Sequence, residues 1–332
     1  MAQATAPRQP VTDSWHFGAL TLAGLVVIGI VLRTVDPSGL AELQNFFLVF
    51  GSLLIEAVPF VLLGAVVSAA IEVFVPARVF ERLTRLPRPL QIPAAGLAGL
   101  AFPVCECGSV PVARRLAAKG LSPAAAVTFM LSAPVLNPVV IASTFVAYRG
   151  RDTLWSMVLG RASLGLLAAM AVGWVIATKR PEELLRPRPD DDHEHAHTGS
   201  KAKEFFGHLA ADFVFMGRFL VIGAAVAALL QTFVPQSVIG SVADTPILAL
   251  LAMMLLAFVL SLCSESDAFV AASFVQFGVG AQLAFLVFGP MVDTKLGILY
   301  SATFSKGFFR TVAIVVAAVT LVGALWIEVL IG

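Results

Sequence analysis

LLGAVVSAAIEVFVP, residues 62 to 76, returns as VIGAAVAALLQTFVP at residues 221 to 235, with seven of fifteen positions identical, Gly64 matching Gly223 and Pro76 matching Pro235. Further on, Cys105 aligns with Cys263, Phe129 with Phe285, Pro134 with Pro290 and Asn137 with Asp293, at a spacing that drifts only from 159 to 156 residues. The chain is therefore an internal repeat. It is also very apolar: 58% of its 332 residues are hydrophobic, 13% are charged, and the mean hydropathy is +0.91. A soluble domain of this length carries about twice that share of charge, so the chain belongs in a bilayer. Its net charge of +1 points to no nucleic-acid partner. Three cysteines, an odd count without paired spacing, read as thiols in a reducing compartment and not as a disulfide framework.

Working outward from the repeat, residues 17–32 predict a first short apolar helix and residues 46–75 a second, which ends at a link carrying Arg78, Arg82, Arg85 and Arg88. Such a basic cluster marks a cytoplasmic loop. Residues 92–104 span only about 20 Å as a helix and are soon followed by Arg114, Arg115 and Lys119, which predicts a re-entrant hairpin. Residues 122–148 cross outward, broken by SAPVLNP, and residues 153–178 return. The polar stretch with His193, His195 and His197 reads as a solvated cytoplasmic linker. Counting crossings makes the two copies inverted and puts the N-terminus in the cytoplasm; no removable signal peptide is read there. The expectation is an all-α polytopic membrane protein of two inverted-topology repeats, with broken or re-entrant helices carrying the Cys/acidic motifs. Residues 1–45 form a tail and first helix, 46–178 repeat 1, 179–204 the linker and 205–332 repeat 2.

Inverted repeats with broken helices are the recurring build of secondary transporters, and unwound backbone is tolerated in a membrane only where it lines a cavity or is buried in protein. Four breaks are visible: VCECGSVP, SAPVLNP, LCSESD and FGPMVDTK. Cys105 and Cys107 point about 200° apart on a regular helix, so sharing a ligand requires an unwound turn. With Cys263 they form a candidate soft-metal or substrate-binding set for Cu(I), Zn(II) or trivalent arsenic. Glu106, Glu265 and Asp267 lie in the same turns and are candidates for proton coupling, because an acid inside a membrane is costly unless used. Asn137 and Asp293 are placed to complete the binding site, with Lys295 as a partner for Asp293. Glu56, Asp212 and Arg218, deep in apolar segments, read as pairing between the repeats. No phosphate loop, nucleophile triad or zinc-protease helix is present, and no cofactor is expected.

FPVCECGSVPVARRLAAKG, LSAPVLNPVVI, LCSESDAFVAASF and LAFLVFGPMVDTK together resemble the predicted permease family that includes the organoarsenical efflux permease ArsP and the YraQ-type permeases. The resemblance covers about residues 46 to 331 outside the linker. It implies a multi-pass permease of the bacterial inner membrane and, for the arsenical branch, export of trivalent organoarsenicals on cysteine thiols. Where that motif has Ser between its cysteines, this chain has Glu106, which suits a cationic metal or a proton-coupled substrate. The reading is a secondary-active exporter of a thiol-reactive metalloid or soft metal. A divalent metal-ion transporter, a membrane enzyme using the Cys/Glu turns, and a homodimer or one subunit of a larger complex are the alternatives.

Overall fold

The computed structural model describes residues 41–75, 87–102, 104–178, 184, 186, 200–233 and 246–331. The apolar stretch 17–32, the arginines Arg78, Arg82 and Arg85, and the three linker histidines lie outside the described residues. The described residues form helices and no β-sheet. In chain order these are α1 (Ala41–Phe74), α2 (Arg88–Ala98), α3 (Glu106–Ala118), α4 (Pro123–Leu136), α5 (Pro138–Ala147), α6 (Leu154–Ile176), α7 (Lys201–Phe233), α8 (Pro246–Leu260), α9 (Asp267–Ser273), α10 (Val279–Phe288), α11 (Thr294–Thr303) and α12 (Phe308–Ile331).

Five stretches are long and apolar enough to cross a bilayer: Glu42–Phe74, Pro123–Ala147, Leu154–Ile176, Lys201–Thr232 and Phe308–Leu330. Large apolar side chains point outward from them, among them Ile55 at 78% and Val329 at 76% exposure. On a water-soluble protein so much outward apolar surface would drive association; here it faces lipid. α2 has 11 residues and α9 has 7, about 16 and 10 Å at helical rise, so neither spans the roughly 30 Å hydrocarbon core alone.

α4 and α10 are the central helices. Every residue of α4 from Ala124 and of α10 from Gly280 is buried, as expected of helices apolar on all sides. α4 packs on α2, α3 and α6, while α10 packs on α8, α9 and α12; α6 also touches α10 and α12. The surroundings of α10 thus match those of α4, while the opening helices differ: α7 packs on α11 and α1 meets α3.

The two glycines aligned by the repeat show why small residues are needed. A Cβ on Gly64 of α1 would stand 2.3 Å from the Cα of Gly108 in α3, and one on Gly223 of α7 would stand 2.9 Å from the Cα of Lys295 in α11. Helices in lipid gain association energy from such close backbone approach. In each half the long opening helix is therefore pressed against a short helix that starts at one of the breaks.

Polar ties join the halves. Ser68 donates to Asp212 Oδ2 at 2.7 Å, and Arg115 reaches Asp212 at 3.5 Å and Glu72 at 3.6 Å. Tyr148 donates to Gln282 at 2.7 Å, and Arg151 to the Ala272 carbonyl at 2.9 Å. Asp212 therefore pairs across the halves as expected. Arg218 does not: it lies over the rings of Phe215 and Phe219 on its own helix, 4.7 and 4.9 Å from their centroids, because the flanking aromatics supply a π face that no acid replaces. Glu56 is half-buried, with no ion pair among the described residues. Lys119 donates to the carbonyls of Ile71, Glu72 and Val75, meeting acceptors that the end of α1 leaves open.

Deepest of these ties is Arg161 of α6, 1% exposed, which donates to Thr144 at 2.9 Å, to the Ser264 carbonyl at 3.1 Å and to Asp267 Oδ2 at 2.8 Å. It links α5, α6 and the start of α9. Replacing Arg161 with Met strands a buried carboxylate and is expected to cost about 3–5 kcal/mol, read as a loss of folded protein in thermal-stability chromatography. Pairing that change with Asp267→Leu is expected to restore most of the loss. Gly64→Val, which drives a side chain into the α3 backbone, is expected to destabilise by at least about 1–3 kcal/mol in the same assay.

Candidate functional site

The four breaks meet. α3 opens at Cys105, whose backbone is extended (φ −75°, ψ 175°) and whose Sγ accepts from the Gly108 amide at 3.4 Å. α5 opens at Asn137, whose Oδ1 accepts from Val139 at 2.9 Å while Nδ2 reaches the Val104 carbonyl at 3.5 Å. α11 opens at Asp293, whose Oδ1 accepts from Leu296 at 2.6 Å. Before α9 the chain turns at Ser261, a non-glycine residue in the left-handed region (φ 47°), a conformation sparsely adopted by residues with a Cβ. Its hydroxyl accepts from Thr294 at 3.1 Å and donates to the Phe258 carbonyl at 3.0 Å. Those bonds hold the turn against the strain.

At the centre, aligned residues of the two halves face each other. Ser264, which the repeat aligns with Glu106, donates to Glu106 Oε2 at 3.1 Å, and Cys105 and Cys263, also aligned, are both buried. Cys263 donates to Glu265 Oε2 at 2.7 Å and lies 4.0 Å from Glu106 Oε2. One ligand atom each from Glu106, Cys263 and Glu265 lie within 4.8 Å of one another. Among the described residues this is the group with metal-binding spacing.

Two cations bound it. Lys295 Nζ stands 3.7 Å from Glu106 Oε1 and 3.7 Å from Asp293 Oδ2, with Glu106, Asp293 and Lys295 all 3% exposed or less. Arg161 closes the other side through Asp267. The positive ends of α3, α9 and α11 add to these charges and favour carboxylates in the first turn of each helix. The arrangement gathers carboxylates and one thiol beside a lysine and an arginine in the protein interior.

Several of the expected site residues come together here. Glu106, Cys263 and Glu265 form the group, Lys295 bridges Glu106 to Asp293, and Cys105 caps the helix that Glu106 begins. Cys107 is buried next to them but outside the group of three ligands. Asn137 gives its Oδ1 to the start of α5 and turns its Nδ2 to the Val104 carbonyl, and Asp267 gives one oxygen to Arg161. The three sulfurs are thus not gathered as one ligand set, because Cys105 Sγ is drawn into the cap of α3. Arg161 and Ser264 were absent from the expectation. A lone arginine inside an apolar 23-residue helix was a signal that could have singled out the first, since an intramembrane charge marks a site by default; a serine carries no comparable signal.

Comparison with known proteins bears out the resemblance to the permease family. Relatives include the UPF0718 protein YcgR of Bacillus subtilis, 39% identical over 296 residues covering 88% of this chain and 98% of the relative. Another, from Streptococcus mutans, is 35% identical over 277 residues, 82% of this chain and 90% of the relative, and its name makes it a candidate subunit of a two-component membrane permease complex. No solved structure matches. The family described as predicted permease, ArsP_1, matches residues 42–329, a span that holds all four breaks and every residue of the buried group, and the chain is a multi-pass membrane protein belonging to that permease family.

Proposed function

We propose that this permease is a secondary-active exporter of the bacterial inner membrane, built as two inverted repeats whose α2/α3 and α8/α9 segments re-enter from opposite sides. Its substrate is a thiol-reactive metalloid compound or soft metal ion, bound where Glu106, Cys263 and Glu265 meet. The observation that carries the reading is the buried thiol–carboxylate group at the convergence of four helix breaks. The matching surroundings of α4 and α10, and the hydrogen bond between the aligned Glu106 and Ser264, support a two-fold relation with the site on its axis. The short lengths of α2 and α9 support re-entry.

Thiolate and carboxylate donors together suit a soft or borderline ion. The Cys263 thiol donating to Glu265 offers a route for the proton released when the sulfur takes a substrate. Glu106 and Glu265 are assigned proton exchange, and Asp267 is assigned the holding of Arg161. Cys105 and Cys107 are assigned to the walls of the site, where a rocking of the halves would bring further sulfur to the substrate. A ligand shifts such a rocking equilibrium only by its differential affinity for the two states, and a site assembled from both halves is strengthened or opened by their relative motion. Transport is preferred to catalysis because the family description and the Streptococcus relative's name are those of permeases. The same relative's name supports a second component for this chain.

The test is uptake into inverted vesicles of methylarsenite, Cu(I), Zn(II) and Co(II), with wild-type protein and Cys263→Ser, with and without a proton gradient. At least one substrate is expected to be taken up in a gradient-dependent manner, with Cys263→Ser lowering its rate about tenfold or more at equal protein abundance. That is the loss expected when one of three mixed ligands becomes a hydroxyl. Absence of uptake of every substrate by correctly inserted wild-type protein would overturn the reading.

A further inference from the structure

The substrate class follows from the charges around the buried group, provided the transport reading holds. Arg161 and Asp267 neutralise each other at 2.8 Å. Of the remaining acids, Glu106 and Asp293 share one cation, Lys295, and Glu265 has no ion pair among the described residues. Two carboxylates are therefore in excess, the charge that a divalent cation would balance. The donor set agrees: two carboxylates and one thiol form the spacing group, a mixed hard and soft set that suits a borderline divalent ion such as Zn(II) or Co(II) better than a thiol-seeking trivalent arsenical.

Two orphaned oxygens show how the ion is received. Oε1 of Glu265 is buried without a hydrogen bond, an acceptor next to the Cys263 sulfur. Oδ2 of Asp293, on a fully buried residue, is likewise without one, and faces only the Lys295 ammonium at 3.7 Å. Buried polar atoms are normally paired, so each marks a position that another state of the molecule fills. Lys295, equidistant from Glu106 and Asp293, has somewhere to go when Glu106 is taken.

We infer that the site carries a divalent cation, which binds between Glu106, Cys263 and Glu265 and displaces Lys295 from Glu106 onto Asp293. Lys295 is a resident counter-cation: it neutralises Glu106 when the site is empty and withdraws when it is loaded. As the sulfur coordinates, its proton passes to Glu265 Oε2, which it already faces at 2.7 Å, and Glu265 binds the ion through its unbonded Oε1, so that Glu106, Asp293 and the Cys263 thiolate are balanced by Lys295 and the divalent ion. The empty carrier keeps a neutralised Glu106 and can return through the membrane.

X-ray absorption of Zn(II) bound to the purified full chain is expected to show one sulfur with oxygen ligands; two or more sulfurs would overturn the inference. Lys295→Gln removes the competitor and is expected to bind Zn(II) about tenfold tighter or more, as for loss of one member of a close charge pair, with Lys295→Arg staying near wild type. In proteoliposomes Lys295→Gln is expected to keep Zn(II) exchange while losing net flux. Equal or weaker Zn(II) binding by Lys295→Gln at wild-type thermal stability would sink the resident-cation role. Wild-type vesicles that move methylarsenite but no divalent ion would leave the transport reading standing and overturn this one, whereas no movement of any substrate would overturn both.

Discussion

A helix interrupted inside a bilayer leaves amides that lipid cannot meet, and that requirement shapes the centre of this protein. The Gly108 amide is met by the Cys105 sulfur, Val139 by Asn137, Leu296 by Asp293 and Thr294 by Ser261. Each cap is a polar side chain placed where an apolar one would be cheaper. Once those side chains are gathered, the remaining acids and cations follow, because an uncompensated charge at this depth costs more than the fold can carry. The caps are thus both the condition for the breaks and the raw material of the site. Gly64 and Gly223 complete the arrangement by letting the long helices cover α3 and α11 at backbone distance.

A buried ion network of this kind is poor evidence for stability, since well-packed apolar residues often do as well or better. Its retention is a sign of use. The Arg161–Asp267 pair is tight, with additional bonds from the guanidinium to Thr144 and Ser264, and behaves as a fixed joint. The Lys295 contacts are longer and shared between two acids, which makes them the looser part of the network. A rigid pair and an exchangeable charge therefore belong to the same buried network.

Much of this was legible in the sequence, for reasons that can be named. The apolar runs located the helical membrane architecture, and the four polar breaks in apolar surroundings located the residues that meet at its centre. Hydropathy could not tell a side chain that binds a substrate from one that caps a helix, and Asn137, expected in the site, also caps α5 with its Oδ1. Cysteine spacing likewise suggested three converging sulfurs, whereas the extended turn at Cys105 aims its sulfur at the Gly108 amide. Arg161 was hidden by its neighbours, as a single charge in a strongly apolar helix hardly alters the hydropathy pattern. Arg218 illustrates the converse: an intramembrane charge whose partners are the aromatic rings beside it in sequence.

The meeting of aligned residues at the centre carries a historical consequence. Lys295 corresponds to Val139, Asp293 to Asn137, Glu106 to Ser264 and Arg161 to Ala317 by the repeat spacing. Two identical chains meeting about such an axis would have to contribute every one of these charges twice, crowding like charges against each other. Joining the copies into one polypeptide released each half to mutate alone, so an axis could come to hold one lysine and one arginine. Covalent fusion, on this view, made an odd-numbered charge set attainable, and separating the halves into two interchangeable genes would forfeit it.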